Sequence, residues 1–373
     1  MTGALPGELV SVALDEERTR YARGHVVEVE EPSPARVEPP CEYVAQGCGG
    51  CTWQHIDAAA QRSLKVDIVR DALARLGHVD EPSVDPGPDL PATHHRTTVR
   101  MAVVDGRAAF RRRHSHDALA VEQCLVAHPL LNDIIAAGRF PGAEEVTMRC
   151  GVSTGDRLAI VAPSATGSSV PDGVVLVGTD ELQAGHRAWI HEEVAGVRFR
   201  ISARSFFQAR PDGAAALVAA VAAAIAGAPD GLFVDAYGGV GLFSATVGSG
   251  RPVSLVEWSA SAVADAKVNV PDAKILRLDV ARWRPSPAAV VVADPARTGL
   301  GRKAAAALAG TGASHLALVS CDPASLGRDT ALLAGHGFEH DGSTLVDLFP
   351  HTPHAEVVTR FIRDAPQRRR RDQ

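Results

Sequence analysis

From about residue 196 onward, short apolar runs alternate with longer stretches whose apolar residues recur at helical spacing. The runs fall at 232–234, 253–256, 275–278, 290–293, 316–319, 344–348 and 356–362, most of them bounded by Gly, Pro, Asp or Asn. The runs at 232–234, 290–293 and 316–319 are wholly apolar, as suits strands buried on both faces. The segments between them, led by the alanine-rich Asp212–Ala226, are long enough for crossover helices. Seven strands with intervening helices predict an α/β unit with a doubly wound, mainly parallel sheet.

Upstream the rhythm differs. Alternation over Thr98–Val104, Ala108–Arg112, Leu158–Ala162 and Val174–Val177 predicts a mostly antiparallel sheet, with helix near Pro129–Ala137. Ahead of it, Asp57–Gly77 reads as a helix with Val66, Val69, Leu73 and Leu76 on one stripe and Gly77 as its stop. Residues 1–40 alternate over Glu8–Val12 and His25–Val29 and leave through a proline-rich stretch. Two strands do not fold alone, so this segment reads as a fragment of a small β-barrel. The predicted domains are 1–40, a partial OB-like barrel; 41–195, a loop and central β-rich α+β unit; and 196–373, the α/β unit.

Composition narrows the class. A chain of 373 residues with 46% hydrophobic and 22% charged residues is a globular protein with room for two or three cores. No apolar run nears the ~20 residues that cross a bilayer, and the amino terminus lacks a signal-peptide pattern. The expectation is a cytoplasmic, monomeric protein with no membrane partner. A net charge of −6 excludes a uniformly basic coat. Positive charge is nevertheless clustered at Arg111–Arg113 with His114 and His116, and at Arg368–Arg371. Such knots can meet phosphate, although for the tail a solvated end explains the pattern equally well.

The six cysteines, Cys41, Cys48, Cys51, Cys124, Cys150 and Cys321, are too few for a disulfide scaffold in a chain this long. Cys41, Cys48 and Cys51 give C-x6-C-x2-C in a loop with glycines at 47, 49 and 50. With a distant fourth thiolate this suits zinc or an iron–sulfur cluster, and spacing does not separate them.

The α/β unit carries polar residues at its strand ends, where ligands of open α/β sheets collect. Asp235 ends the first strand, before Gly238, Gly239 and Gly241. Glu257 ends the next, about 20 residues on, where a carboxylate can take ribose hydroxyls. Position 244 is Ser, so GxGxxG is incomplete, and the spacing alone does not separate NAD from S-adenosylmethionine. Asp294 and Pro295 end a further strand. In LVSCDPASLGRD an apolar run stops at Cys321, and Glu356 opens the last strand.

SFFQARPDGAAAL, DAYGGVGLF, VEWSASAVADAKVN, DPARTGL, LVSCDPASLGRD and FPHTPHAEVV, in this order, resemble the S-adenosylmethionine-dependent RNA uridine-5 methyltransferases. CEYVAQGCGGCTWQH with the later Cys124 resembles the iron–sulfur motif of that family's rRNA branch. The resemblance covers the chain from Pro6 onward. It implies a class I, Rossmann-like methyltransferase domain, RNA as partner (23S rRNA favoured over tRNA), and two cofactors, S-adenosylmethionine and a 4Fe-4S cluster. It implies Cys321 as nucleophile on carbon 6 of uracil and Glu356 as the base that removes the carbon 5 proton. Gln208, Tyr237, Glu257 and Asp294 would line the cofactor and uracil pocket, and Cys41, Cys48, Cys51 and Cys124 would hold the cluster. Such a nucleophile needs activation by its surroundings, because a thiol near ~8.5 is mostly protonated at neutral pH.

The chain departs from the family in three places. Met1 stands just ahead of PGELV, so against the family's pattern the expectation is a barrel (the TRAM domain) without its first half, either because translation starts here or because the true start lies further upstream. Ala296 replaces a second proline, and the first cysteine spacing is one residue long. Two rival classes are a methyltransferase for a small molecule, for which cluster and central unit would be dispensable, and a non-catalytic iron–sulfur RNA-binding relative, against which Cys321 and Glu356 argue.

Overall fold

A computed structural model describes residues 1–113 and 115–363. His114 and the Arg368–Arg371 knot lie outside the described residues.

The first forty residues form an antiparallel hairpin of β1 (Leu9–Arg18) and β2 (Tyr21–Glu31). Arg36 folds back on it, its guanidinium donating to both carboxylate oxygens of Glu8 at 2.5 and 2.6 Å. A single turn, α1 (Glu42–Ala45), precedes α2 (Ala58–Gly77). Asp57 caps α2 by accepting from the amides of Ala59 and Ala60. The left-handed residue that ends it is His78, one beyond the expected Gly77. Val66, Val69 and Leu73 of its predicted stripe are buried, whereas Leu76 is exposed.

After β3 (Val84–Pro86) come β4 (Thr98–Val104), β5 (Arg107–Arg111), β6 (Ala118–Ala120), α3 (Pro129–Ala137), β7 (Glu145–Cys150), β8 (Arg157–Ala162) and β9 (Val174–Gly178). These strands, β3 apart, build a sheet in the order β6-β5-β4-β7-β8-β9, antiparallel except between β8 and β9. A short helix α4 (Thr179–Gln183) leads to a hairpin of β10 (Trp189–Val194) and β11 (Val197–Ser202). Neither β7 nor this hairpin was expected.

The remainder runs α5 (Pro211–Ala224), β12 (Phe233–Ala236), α6 (Leu242–Ala245), β13 (Val253–Glu257), α7 (Ala260–Asn269), β14 (Lys274–Arg277), β15 (Val290–Ala293), α8 (Gly301–Ala309), β16 (His315–Ser320), α9 (Pro323–Ala334), β17 (Glu339–Val346) and β18 (Glu356–Ile362). The strand order is β14-β13-β12-β15-β16-β18-β17-β3, with β18 antiparallel to both neighbours. The central strands divide their residues between two cores. Phe233, Val290, Val292, Ala317 and Val319 face one layer, and Val234, Val291, Ala293, Leu316 and Leu318 face the other. Each fully buried Val or Leu contributes roughly 1.5–3 kcal/mol of transfer energy.

The sheet has eight strands where seven were expected. The extra edge strand, β3, is three residues long and ends in Pro86, so it carries no alternation and lacks one ladder donor. It comes from the region assigned to the central unit, as does α2, which packs against α9. A Cβ at Gly327 would lie 2.5 Å from the carbonyl oxygen of Ala72, so glycine is what lets the two helices meet. Among the described residues no helix is long and apolar enough to cross a membrane.

Candidate active site and cysteine-lined cavity

Strand order reverses between β12 and β15, and the loops there hold the candidate cofactor residues. Asp235 is fully buried and does not reach the rim. Its Oδ2 accepts from the amide and hydroxyl of Ser244 at 2.9 and 2.6 Å, which fixes the glycine turn. Burial pushes its carboxyl up to about 6, against the pull of those two hydrogen bonds. Tyr237 begins the turn in the left-handed region, at φ 62°, a strained geometry for a side-chain-bearing residue.

The glycines divide by role. A Cβ at Gly238 would meet Leu255 at 2.5 Å and one at Gly241 would meet Val270 at 2.5 Å, so both serve packing. Gly239 faces open space. Its amide donates to Oε2 of Glu257 at 3.1 Å, and the amide of Ser259 donates to Oε1 at 2.7 Å. With about four lone-pair sites, that carboxylate keeps capacity for two hydroxyl donors. Burial pushes the Tyr237 phenol up to about 12, and the charges of Asp279 and Asp329 add to it. Asp279, two residues past β14, caps the next turn through the amide of Ala281 and stays exposed. Sequence reasoning missed it, because an exposed carboxylate in a loop carries no signal of its own.

On the other side of the switch, Nε2 of Gln208 approaches Oδ2 of Asp294 to 3.5 Å. Cys321, just beyond β16, is partly exposed, and Glu356, the first residue of β18, is 3% exposed. Glu356 sits close enough to perturb the thiol. Burial, then the charges of Glu356 and Asp294, push the Cys321 thiol up to about 11, while Arg297 opposes them. Burial and these charges thus favour the thiol over the thiolate in the free protein. Burial likewise raises the Glu356 carboxyl well above its ordinary value, with Asp294 adding to the rise and Arg297 again opposing. Asp294 is itself raised to about 7, first by burial and then by Asp235.

Arg297 is the second residue that sequence reasoning missed. Its place is set by α9: its carbonyl accepts from the hydroxyl of Ser325 at 2.6 Å. Asp329 takes the amides of Leu300 and Gly301 at 2.7 and 3.1 Å, and Asp322 caps the helix through Ser325 at 2.7 Å. The helix after Cys321 thus ties the nucleophile's strand end to the Asp294–Gly301 loop.

Cys41, Cys48, Cys51 and Cys124 line one cavity of about 260 Å³, with Gln54, Phe110 and Val121 among its walls. The loop is held from both sides. Gln54 accepts from the amide of Cys41 at 3.2 Å, Asn132 accepts from that of Cys124 at 2.8 Å, and Cys48 bridges Arg112 in antiparallel register. Burial pushes the Cys51 thiol up to about 11, and the other three sulfurs add to the rise. Burial also raises Cys48 and Cys124. Four soft donors around one shared space are a donor set that an iron–sulfur or zinc centre would suit. Among the described residues no group of three or more Cys, His, Asp or Glu is placed closely enough to hold a metal ion. Cys150 stands apart, 2% exposed.

No protein-family model matches the chain. An RNA methyltransferase of Streptomyces avermitilis is 33% identical over 95% of this chain and 90% of its own length. The chain belongs to the RNA methyltransferase family. Within the family, the 23S rRNA (uracil(1939)-C(5))-methyltransferase RlmD of Chromohalobacter salexigens is 31% identical, over 98% of this chain and 85% of the relative. Among solved structures, the tRNA (uracil-54, C5)-methyltransferase of Pyrococcus abyssi, in complex with S-adenosyl-L-homocysteine, matches with a TM-score of 0.70. It covers 95% of this chain and 93% of its own at 21% identity, and it supports the Rossmann-like methyltransferase fold.

Proposed function

We propose that this RNA methyltransferase acts on carbon 5 of a uridine, with Cys321 as nucleophile and Glu356 as base. The observation that carries the reading is the meeting of a partly exposed thiol and a buried carboxyl at the adjoining ends of β16 and β18, with Asp294 and Arg297 reaching them from the loop after β15. Carbon 5 of uracil is a weak nucleophile. Addition of the Cys321 thiolate to carbon 6 converts the ring to an enolate whose carbon 5 can take a methyl group. S-adenosylmethionine supplies that methyl on a sulfonium. Glu356 then removes the carbon 5 proton, and the thiolate leaves.

Gln208, Tyr237, Glu257 and Asp294 hold cofactor and base in this reading, joined by Asp279. A base raised well above the ordinary carboxylate range suits proton abstraction near neutrality. The target nucleotide must leave its stack, at a cost of a few kcal/mol. Arg111–Arg113, beside the cysteine loop, offer phosphate contacts that offset it.

The same reading places a 4Fe-4S cluster on Cys41, Cys48, Cys51 and Cys124. Their place on the walls of one cavity and the likeness of the C-x6-C-x2-C loop to the family's iron–sulfur motif support a cluster over zinc. Iron and sulfide in the anaerobically purified protein support it; a colourless zinc protein overturns it. The β1–β2 hairpin exposes Leu9, Leu14, Tyr21 and Val27, which supports residues 1–40 as part of a barrel. 23S rRNA is the favoured substrate, on the likeness to the named relative.

The test incubates the protein with methyl-labelled S-adenosylmethionine and separate 23S rRNA and tRNA pools, then maps the labelled base. Label in 5-methyluridine, lost together with the covalent RNA adduct in Cys321→Ala, is expected. Turnover in Cys321→Ala removes that residue from the mechanism, and label in any other base overturns the reaction.

A further inference from the structure

The carboxylate of Glu356 has no hydrogen-bond partner among the described residues, so its aim is set by its backbone. Val346 of β17 pairs with Glu356 of β18, and the nine residues between them, 347–355, form the loop that delivers it. That loop is held from outside the large sheet's own strands. Nζ of Lys65, fully buried in α2, donates to Oδ1 of Asp347 at 2.7 Å and to the carbonyl of Phe349 at 2.9 Å. One turn earlier, Oε1 of the buried Gln61 accepts from the amide of His351 at 2.6 Å. The carbonyl of His351 accepts from the amide of Trp53 at 2.8 Å. His351 is thus pinned on both its N–H and its C=O while held at φ 64°, a conformation that persists only where the surroundings over-determine it.

Gln61 also spends its amide on the carbonyls of Trp53 and Ile56, at 3.1 and 2.8 Å. Trp53 lies two residues past Cys51, and its ring stacks 6.0 Å from the Lys65 ammonium. Two side chains of one helix therefore grip a strained loop whose last link is the base. Both are far in sequence from the α/β unit, and nothing in the addition of Cys321 to uracil calls on them.

We propose that Gln61 and Lys65 are positioning residues for Glu356, acting on proton removal and release rather than on formation of the covalent complex. The inference rests on the proposed roles of Cys321 and Glu356. In the step concerned, the carbon 5–hydrogen bond breaks and its proton passes to the Glu356 carboxylate. The electron pair re-forms the carbon 5–carbon 6 double bond, and the carbon 6–sulfur bond breaks with its pair returning to Cys321. A loosened loop leaves addition and methyl transfer intact and stalls the chain as a methylated protein–RNA complex.

The experiment uses the full chain with methyl-labelled S-adenosylmethionine and unmodified 23S rRNA and tRNA transcripts. It follows the covalent complex on denaturing gels and the free methylated RNA over time. Gln61→Leu and Lys65→Met should form the complex within about twofold of the unsubstituted rate and release it about tenfold more slowly, the ~1.4 kcal/mol of one buried hydrogen bond. Gln61→Asn, which withdraws the same oxygen with little change of volume, should shift release in the same direction by less. Glu356→Gln is the benchmark for a stalled complex. If it stalls and the Gln61 and Lys65 variants lose formation and release together, or change neither, the clamp is wrong. If Glu356→Gln releases RNA normally, the base has been misassigned. No label in any RNA with the unsubstituted chain defeats the proposed function itself.

Discussion

Alkylation of Cys321 as a function of pH tests the electrostatics of the site directly. Its thiol is pushed from an ordinary 9.0 up to about 11 by burial and by the charges of Glu356 and Asp294. At pH 7 that leaves roughly one molecule in ten thousand ionised, against about one in a hundred for an ordinary thiol. Since only the thiolate reacts, iodoacetamide should label Cys321 about a hundredfold more slowly than a thiol at 9.0. Quantifying the Cys321 peptide by mass spectrometry separates it from the cavity cysteines. Two substitutions set the sign: Glu356→Gln removes the larger charge effect and should lower the apparent value, and Arg297→Met should raise it further. A sulfonium in the pocket should act as Arg297 does, so adding S-adenosylmethionine should speed labelling. An apparent value at or below 9.0 in the free protein, or no response to Glu356→Gln, would refute the reasoning.

Three further outcomes follow from the geometry. The Glu356 carboxyl is raised, so it becomes an available base only as pH climbs through its elevated value, and release of methylated RNA should rise with pH above the ordinary 4.5. A release rate already flat just above that value would contradict the burial argument. Gly238→Ala forces a Cβ to 2.5 Å from Leu255 and should lower stability by about 1–3 kcal/mol, read by denaturant unfolding; an unchanged midpoint would show that the turn yields freely. Glu8 is depressed to about 2 by Arg36, so their pairing stabilises the hairpin fully above the unfolded carboxyl value of 4.5 and is lost as pH falls through about 2. Glu8→Gln should weaken it by about 1–3 kcal/mol, measured as faster amide exchange in β1 and β2, and equal exchange rates would dismiss the pair.

What could be read in advance follows the physics of each signal. Strands β12, β13, β15 and β16 are buried on both faces, so their apolar runs stand out, and Glu257, Asp294 and Cys321 mark where those runs stop. Strand β3 gave no such signal, because three residues cannot alternate and its pairing comes from β17, far along the chain. Asp279 and Arg297 escaped because a single exposed charge in a loop looks like any solvated side chain until the fold places it. The balance at Cys321 was not legible for a related reason: burial comes first, and its nearest charges, Glu356 from β18 and Asp294 and Arg297 from the loop after β15, meet only in the fold. Lys65 and Gln61 sit on a helix that sequence could define but not dock.

The weaving of α2 and β3 into the large sheet also governs how the chain can be divided. A fragment starting at residue 196 would keep every residue placed at the reacting centre, yet it would bare the edge of β17, uncover Leu326 and Leu333 beneath α2, and leave Asp347 without Lys65. Residues 58–86 and the α/β unit therefore should unfold together, because they share a sheet edge, a core and a buried ion pair. Any shortened enzyme would have to carry that crossover with it.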